Sequence, residues 1–387
     1  MTQTVRSIML FLHHWPRWTI IILMSLAYFS KVLIFGEMNP NRAWNKGDAY
    51  FYHFISNSLI EDGDLDLTNN HGPIPLDQGD FALSQHGYPT AKQSPLMSVI
   101  AMPLRLLFGP VGSLWFNILC SMGIVLLLYQ LLNIWVSPVS SLLASLIVGL
   151  GSVLFRYAFN FSPDVFSCLI LLSLIVVTFR QHWYLIGLFA GLAISAKIGN
   201  IIVVAPVLGY ALWLLRSKHY SESLTILFKM SMVFLLVLAP FLIYNNWLFG
   251  SPFTTGYQAI LIASQGVNTT ISHTSDFNQP IFTGLITLFF NDRNGIAFDN
   301  WIILLPFLAG LFFIRKTHFD KLILLLIIIM IQSVFYASYD YQLASSLGNR
   351  FLLVSIALMA IPIGWFIEKI KSKSNFLTVG SGSDIQH

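Results

Sequence analysis

Four ionisable residues stand where an apolar chain tolerates them least. Asp48 opens the stretch 47–70, GDAYFYHFISNSLIEDGDLDLTNN. Asp164 opens an apolar run from NFSPD, Lys197 separates two apolar halves, and Arg350 opens a last run from GNRF. Charge at membrane depth is costly and marks function by default. Plain structural roles are also open to three of them. Asp48 suits a helix N-cap, Asp164 suits the positive end of a helix dipole, and Lys197 can snorkel along its stem to the surface. Arg350 is different, because a cation at a helix N-terminus opposes the dipole. It calls for a partner, and an anion outside the membrane is the natural candidate. Asp62, Asp64 and Asp66 alternate like the start of a calcium loop, but such a loop needs Gly at its sixth position and Glu at its twelfth. Leu67 and Pro73 stand there.

The elements that must carry these residues follow from composition. The 387 residues are 56% hydrophobic and 10% charged, against about a quarter charged in a soluble domain. Apolar runs near the ~20 residues that cross hydrocarbon recur at about 17–36, 111–135, 138–157, 164–179, 183–197, 198–215, 224–247, 300–315, 319–337 and 351–368. The expected fold is all-α, a polytopic membrane protein of about ten transmembrane helices. Segments 95–108 and 281–290 are too short to span and read as interfacial or re-entrant. In the opening stretch Phe51, Phe54, Ile55 and Leu59 recur at helical spacing, with Ser56, Asn57, Glu61 and Asp62 elsewhere around the wheel. That pattern predicts an amphipathic helix in the membrane interface, begun by Asp48 and stopped by Gly63.

Basic residues in short loops orient the chain. With the N-terminus in the cytosol, Arg6, Arg17, Arg180, Arg216, Lys218, Arg315, Lys316, Lys321, Lys369, Lys371 and Lys373 all fall inside. Loops 37–94 and 248–299 then face the exterior, together with the turns that carry Asp164, Lys197 and Arg350. One transmembrane domain over 1–373 is expected, followed by a short polar, disordered tail at 374–387. The first apolar run is too long for a signal-peptide core and reads as a retained span. The net charge of +4 follows from topology and gives no reason for a nucleic-acid partner. Cys120 and Cys168 lie inside apolar runs and define no disulfide framework. His71, His86 and His273 lack metal-ligand spacing, and Asp276, Asp292 and Asp299 read as solvated loop acids. Trp44, Tyr50, Tyr52, Trp247 and Tyr257 read as an interface belt, and GSPFTTGY as a turn.

Several motifs, in order, resemble one known group. They are residues 47–70, then YPTAKQSPLMSVIAMPLRLLFG, FSPDV, YNNWLFGSPFTTGY, FFNDRNGIAFDNWIILLPFLAGL and LGNRFLLVSIALMAIP. The pattern looks like the polytopic GT-C glycosyltransferases that use a polyprenyl-phosphate sugar, the group of protein O-mannosyltransferases and aminoarabinose transferases. The resemblance implies that Asp48 is the acidic residue of the first loop that serves as catalytic base or as its positioner, and that Asp164 is the second acidic position. It places Lys92, Lys197, Arg350 and Arg293 where basic residues hold the lipid phosphate. Many relatives carry Asp-Glu at the first motif, whereas Ala49 follows Asp48 here. No cofactor is called for, and a divalent metal stays open.

The chemistry suits such a layout. A carboxylate within hydrogen-bond reach takes the proton of an acceptor hydroxyl as the glycosidic bond forms. Fixed cations stabilise the charge that develops on a departing lipid phosphate. The expected partners are a polyprenyl-phosphate sugar, membrane lipids, and a lipid, polymer or protein acceptor. The expected setting is a bacterial inner membrane, as no organelle retention signal is visible. A transporter or lipid-linked sugar flippase is the rival reading, although transporters usually place ionisable residues at mid-bilayer. A non-catalytic envelope-assembly subunit is the third.

Overall fold

The computed structural model describes residues 15–35, 48–72, 78–264, 267–271, 277–291, 295–314, 317–339 and 348–380. With no water in the bilayer core, an apolar run satisfies its backbone only by coiling on itself, and each expected run is helical. Helix α1 is Pro16–Phe35, α2 is Asp48–Glu61, α3 is Leu96–Phe108 and α4 is Val111–Leu132. Then come α5 (Pro138–Gly151), α6 (Val153–Tyr157), α7 (Pro163–Phe179) and α8 (Trp183–Ala196). They are followed by α9 (Ile201–Leu215), α10 (Tyr220–Phe249), α11 (Ile281–Phe290) and α12 (Ile296–Asp299). The last four are α13 (Trp301–Leu311), α14 (Phe319–Ala337), α15 (Leu353–Leu358) and α16 (Ala360–Gly380).

Among the described residues six helical stretches are long and apolar enough to cross a membrane: Pro16–Ile34, Val111–Leu132, Ile198–Leu215, Tyr220–Phe249, Phe319–Ala337 and Arg350–Ser372. The other four expected spans are the shorter helices α5, α7, α8 and α13. Local breaks shorten two of them. Ser152 is extended and its hydroxyl accepts from the Leu154 amide, which divides α5 from α6. A turn at Asn300 divides α12 from α13. Helix α16 continues to Gly380, into the polar stretch that composition reads as a tail. A helix already nucleated propagates cheaply.

Helix α7 lies at the centre and packs against α4, α8, α9 and α15. Nearly all of its residues are buried, from Pro163 to Thr178. Helix α10 is its opposite, with Phe228, Leu236 and Ile243 turned outward as a lipid-facing side requires. Helices α13 and α16 touch through Gly310, where a Cβ would lie 1.9 Å from the Pro362 carbonyl oxygen. Such small-residue contacts let membrane helices approach closely.

The all-α expectation omits one feature, a four-stranded antiparallel sheet. Strands β1 (Gln78–Leu83), β2 (Pro89–Ala91), β3 (Ile260–Ser264) and β4 (Val267–Ile271) lie in the order β2-β1-β3-β4. Strand β1 pairs with β3 through Gln78↔Ile262 and Ala82↔Ile260. The two long loops are thus joined to each other at one end of the bundle. Helix α2 begins and ends as expected but does not lie on a surface with one wet face. Ser56 and Ser58 are buried together with Ala49, Phe51, Tyr52, Phe54 and Ile55, because α3 and β2 pack against it.

Candidate active site

Asp48, Asp164, Lys197 and Arg350 come from four separate segments and meet at the sheet-bearing end of the bundle. Asp164 is set by a local cap. Pro163 occupies the first turn of α7 and Ser162 caps it, with the Ser162 hydroxyl 2.9 Å from Asp164 Oδ2. Lys197 follows the last residue of α8 as the chain turns into α9, and its Nζ lies 2.9 Å from Asp164 Oδ1. The Lys197 side chain is 18% exposed and that of Asp164 3%, so Lys197 points inward to a partner instead of snorkelling. Arg350 lies in the turn before α15 and bridges both acids. Its Nη2 is 2.9 Å from Asp48 Oδ2 and its Nε 3.6 Å from Asp164 Oδ2. The anion that the sequence demanded for Arg350 is therefore supplied by these two carboxylates in this state.

Asp48 starts α2, which is anchored on both sides. The Ser98 hydroxyl of α3 donates to the Tyr52 carbonyl at 2.8 Å. Arg105 ties Asn57 of α2 to Ser113 of α4. Nearby His53 is lowered to about 3, by burial first and by the Arg105 cation second, so it stays a neutral ring. That matches a packing residue better than a ligand. The Gln93 amide Nε2 donates to Asp48 Oδ1 at 3.4 Å. Burial works to raise the Asp48 carboxyl. Arg350, then Lys197, Lys92 and the Gln93 hydrogen bond, outweigh it and hold the group below the usual carboxylate range. Asp48 is a carboxylate at neutral pH.

Beside this cluster lies an open cleft. Lys92 and Lys197 supply its charge, Gln93 and Asn245 its amides, and Tyr52 and Tyr257 its rings. Among the described residues its lining contains no carboxylate. Lys92, the residue after β2, extends towards the Phe51 ring, 5.9 Å from the centroid. The second loop holds it there. Gly256 presses against this backbone, and a Cβ on it would fall 2.4 Å from Lys92 Cα. The GSPFTTGY segment is thus more than a turn.

Sequence reasoning missed Gln93, Tyr52 and Tyr257 as site residues. Tyr52 and Tyr257 read as interface aromatics, yet both are enclosed beside the cluster. Burial raises the Tyr257 phenol, and Asp48 adds to this against Lys197 and Arg350. Gln93 adjoins Lys92 in the AKQSP segment, which is the one signal that could have drawn attention to it. Arg293 lies outside the described residues, as do Trp44, His273, Asp276 and Asp292. Asp299 is not a solvated acid, since it pairs with Arg156 at 3.0 Å. Among the described residues no three His, Cys, Asp or Glu gather as a metal site would require.

The fold has counterparts among known proteins. Residues 93–244 match the family model for dolichyl-phosphate-mannose-protein mannosyltransferase. ArnT from Cupriavidus metallidurans, bound to undecaprenyl phosphate, is similar with a TM-score of 0.60 at 13% identity, over 93% of this chain and 63% of that one. The Archaeoglobus fulgidus oligosaccharyltransferase in its apo form is similar with a TM-score of 0.58 at 12% identity, over 97% of this chain and 53% of that one. The chain spans less than two thirds of either protein. No curated protein matches it in sequence. At such identities the likeness is one of fold. In fold, and in sequence over residues 93–244, this all-α polytopic membrane chain resembles the GT-C glycosyltransferases.

Proposed function

We propose that this chain is an inverting glycosyltransferase that moves a sugar from a polyprenyl-phosphate donor to an acceptor hydroxyl at the external face of a bacterial inner membrane. One observation carries the reading. A carboxylate kept ionised, Asp48, stands beside a cleft whose only charged lining residues, among those described, are two lysines. Asp48 takes the acceptor proton while the acceptor oxygen bonds to the anomeric carbon and the bond from that carbon to the phosphate oxygen breaks. Lys92, Lys197 and Arg350 hold the phosphate and stabilise the charge it gains on leaving. Arg293 joins them on its sequence alone. Displacement by a single base inverts the anomeric centre, as in the two-carboxylate logic of glycosidases.

Asp164 takes a supporting part in this scheme. Its burial and its contacts with Lys197 and Arg350 favour a carboxylate that positions both cations over one that touches the acceptor. A transporter has less support, because the ionisable cluster sits at helix ends beside the sheet rather than at mid-helix breaks.

Purified protein is incubated with a panel of polyprenyl-phosphate sugars and membrane extract as acceptor source, and release of free polyprenyl phosphate is followed. Release that is lost on Asp48→Asn supports the assignment. No release with any donor from folded wild-type protein overturns it.

A further inference from the structure

Gln93 is 2% exposed, and its Oε1 has no hydrogen-bond partner among the described residues. Its Nε2 donates to Asp48 Oδ1, and the residue borders the cleft. The two ends of an amide are normally hard to tell apart. Here chemistry fixes them, because an ionised carboxylate only accepts hydrogen bonds. The NH₂ end must face Asp48, and the carbonyl end is the one left over. A buried carbonyl without a donor costs free energy that most such groups avoid. Where one persists beside a cleft, a ligand that brings an O–H or N–H recovers that cost.

We infer that Gln93 Oε1 is a specificity-determining contact that accepts a hydrogen bond from one hydroxyl of the donor sugar, while its amide end steadies Asp48. The inference rests on the transferase reading and deepens it. The sugar is favoured over the acceptor because the same cleft holds Lys92 and Lys197. A phosphate drawn to these cations leaves its attached ring beside Gln93, the residue next to Lys92. The aromatic rings of Tyr52 and Tyr257 offer that ring apolar faces on which to rest.

The test uses the full chain in lipid nanodiscs and short-chain prenyl phosphates, bare or bearing glucose, mannose or galactose. Mono-deoxy versions of the tightest sugar complete the set, and dissociation constants are the readout. Wild type should bind one sugar-bearing probe more tightly than the bare phosphate. Gln93→Met should cut that preference about tenfold, the worth of one such hydrogen bond, and leave the bare phosphate unaffected. One mono-deoxy probe should show the same loss on wild type and no further loss on Gln93→Met. Folded Gln93→Met with an undiminished sugar preference overturns the inference. So does wild type that binds every deoxy probe like its parent, an arm that needs no variant to fold. Wild type that binds neither bare nor sugar-bearing phosphate overturns the transferase reading itself.

Discussion

Glu368 in α16 and Asp48 in α2 are both carboxylates ringed by donors, at opposite ends of the bundle. Glu368 Oε2 accepts from the Ser137 amide at 3.2 Å and from the hydroxyls of Ser137 and Ser140 at 2.5 Å each. These donors are neutral and belong to the start of α5, which Glu368 caps from the neighbouring helix. The negative charge also suits the helix N-terminus. Asp48 is held instead by Arg350 and Gln93, drawn from distant segments, and Arg350 is shared with Asp164. Its surroundings contain a half-used amide, two lysines and an open cleft. The same side-chain chemistry is closed at one end and left open at the other. If Asp48 is the base proposed above, what separates it from a structural carboxylate is that its neighbours have hydrogen-bonding capacity to spare.

The comparison can be broken most sharply at Asp48. Asp48→Asn keeps the shape and removes the proton acceptor, so transfer should fall by about a thousandfold, within the range for a lost general base. Thermal unfolding should show the fold retained, and transfer near the wild-type rate would refute the base assignment. Gly256→Ala should come next. The added methyl must displace the Lys92 backbone, and a misplacement near 1 Å can cost about a hundredfold. Turnover should drop while expression holds.

Arg350→Gln removes the strongest influence that lowers the Asp48 carboxyl and leaves the burial that raises it. In wild type Arg350 helps hold the Asp48 carboxyl below the usual carboxylate range. In the variant the acid limb of kcat/KM should move to higher pH, and donor KM should rise about tenfold, the worth of a lost charge-assisted bond. An unmoved acid limb would uncouple the two groups. Glu368→Gln should have the smallest effect. It should lower the melting temperature by a few degrees, as a loss of about 1–2 kcal/mol implies, with turnover per folded molecule unchanged.

Much of the scaffold was legible because lipid imposes one rule on every apolar run. Each of the ten expected spans is helical. Asp48, Asp164, Lys197 and Arg350 were legible because charge at the end of an apolar run is rarely accidental. Their meeting was not, since no local pattern reports a contact between segments so far apart. The sheet was half legible. ILIAS and VNTTI are rich in β-branched residues and lie two residues apart, the spacing of a hairpin. The pairing of ILIAS with QGDFAL of the first loop is set by tertiary contact alone. Gln93 carries no periodicity and no charge, and only its orphaned carbonyl reveals it.

The sharing of Arg350 between Asp48 and Asp164 also has a consequence for biogenesis. Membrane helices enter the bilayer in the order they leave the ribosome. By the time α14 is threaded, both carboxylates and Lys197 are already in place, but the guanidinium that bridges them has not yet emerged. A nascent chain therefore holds an unfinished cluster, and only arrival of the final helices closes it. On the proposed reading, catalytic competence is tied to completion of the bundle, and a stalled intermediate lacks the assembled cluster.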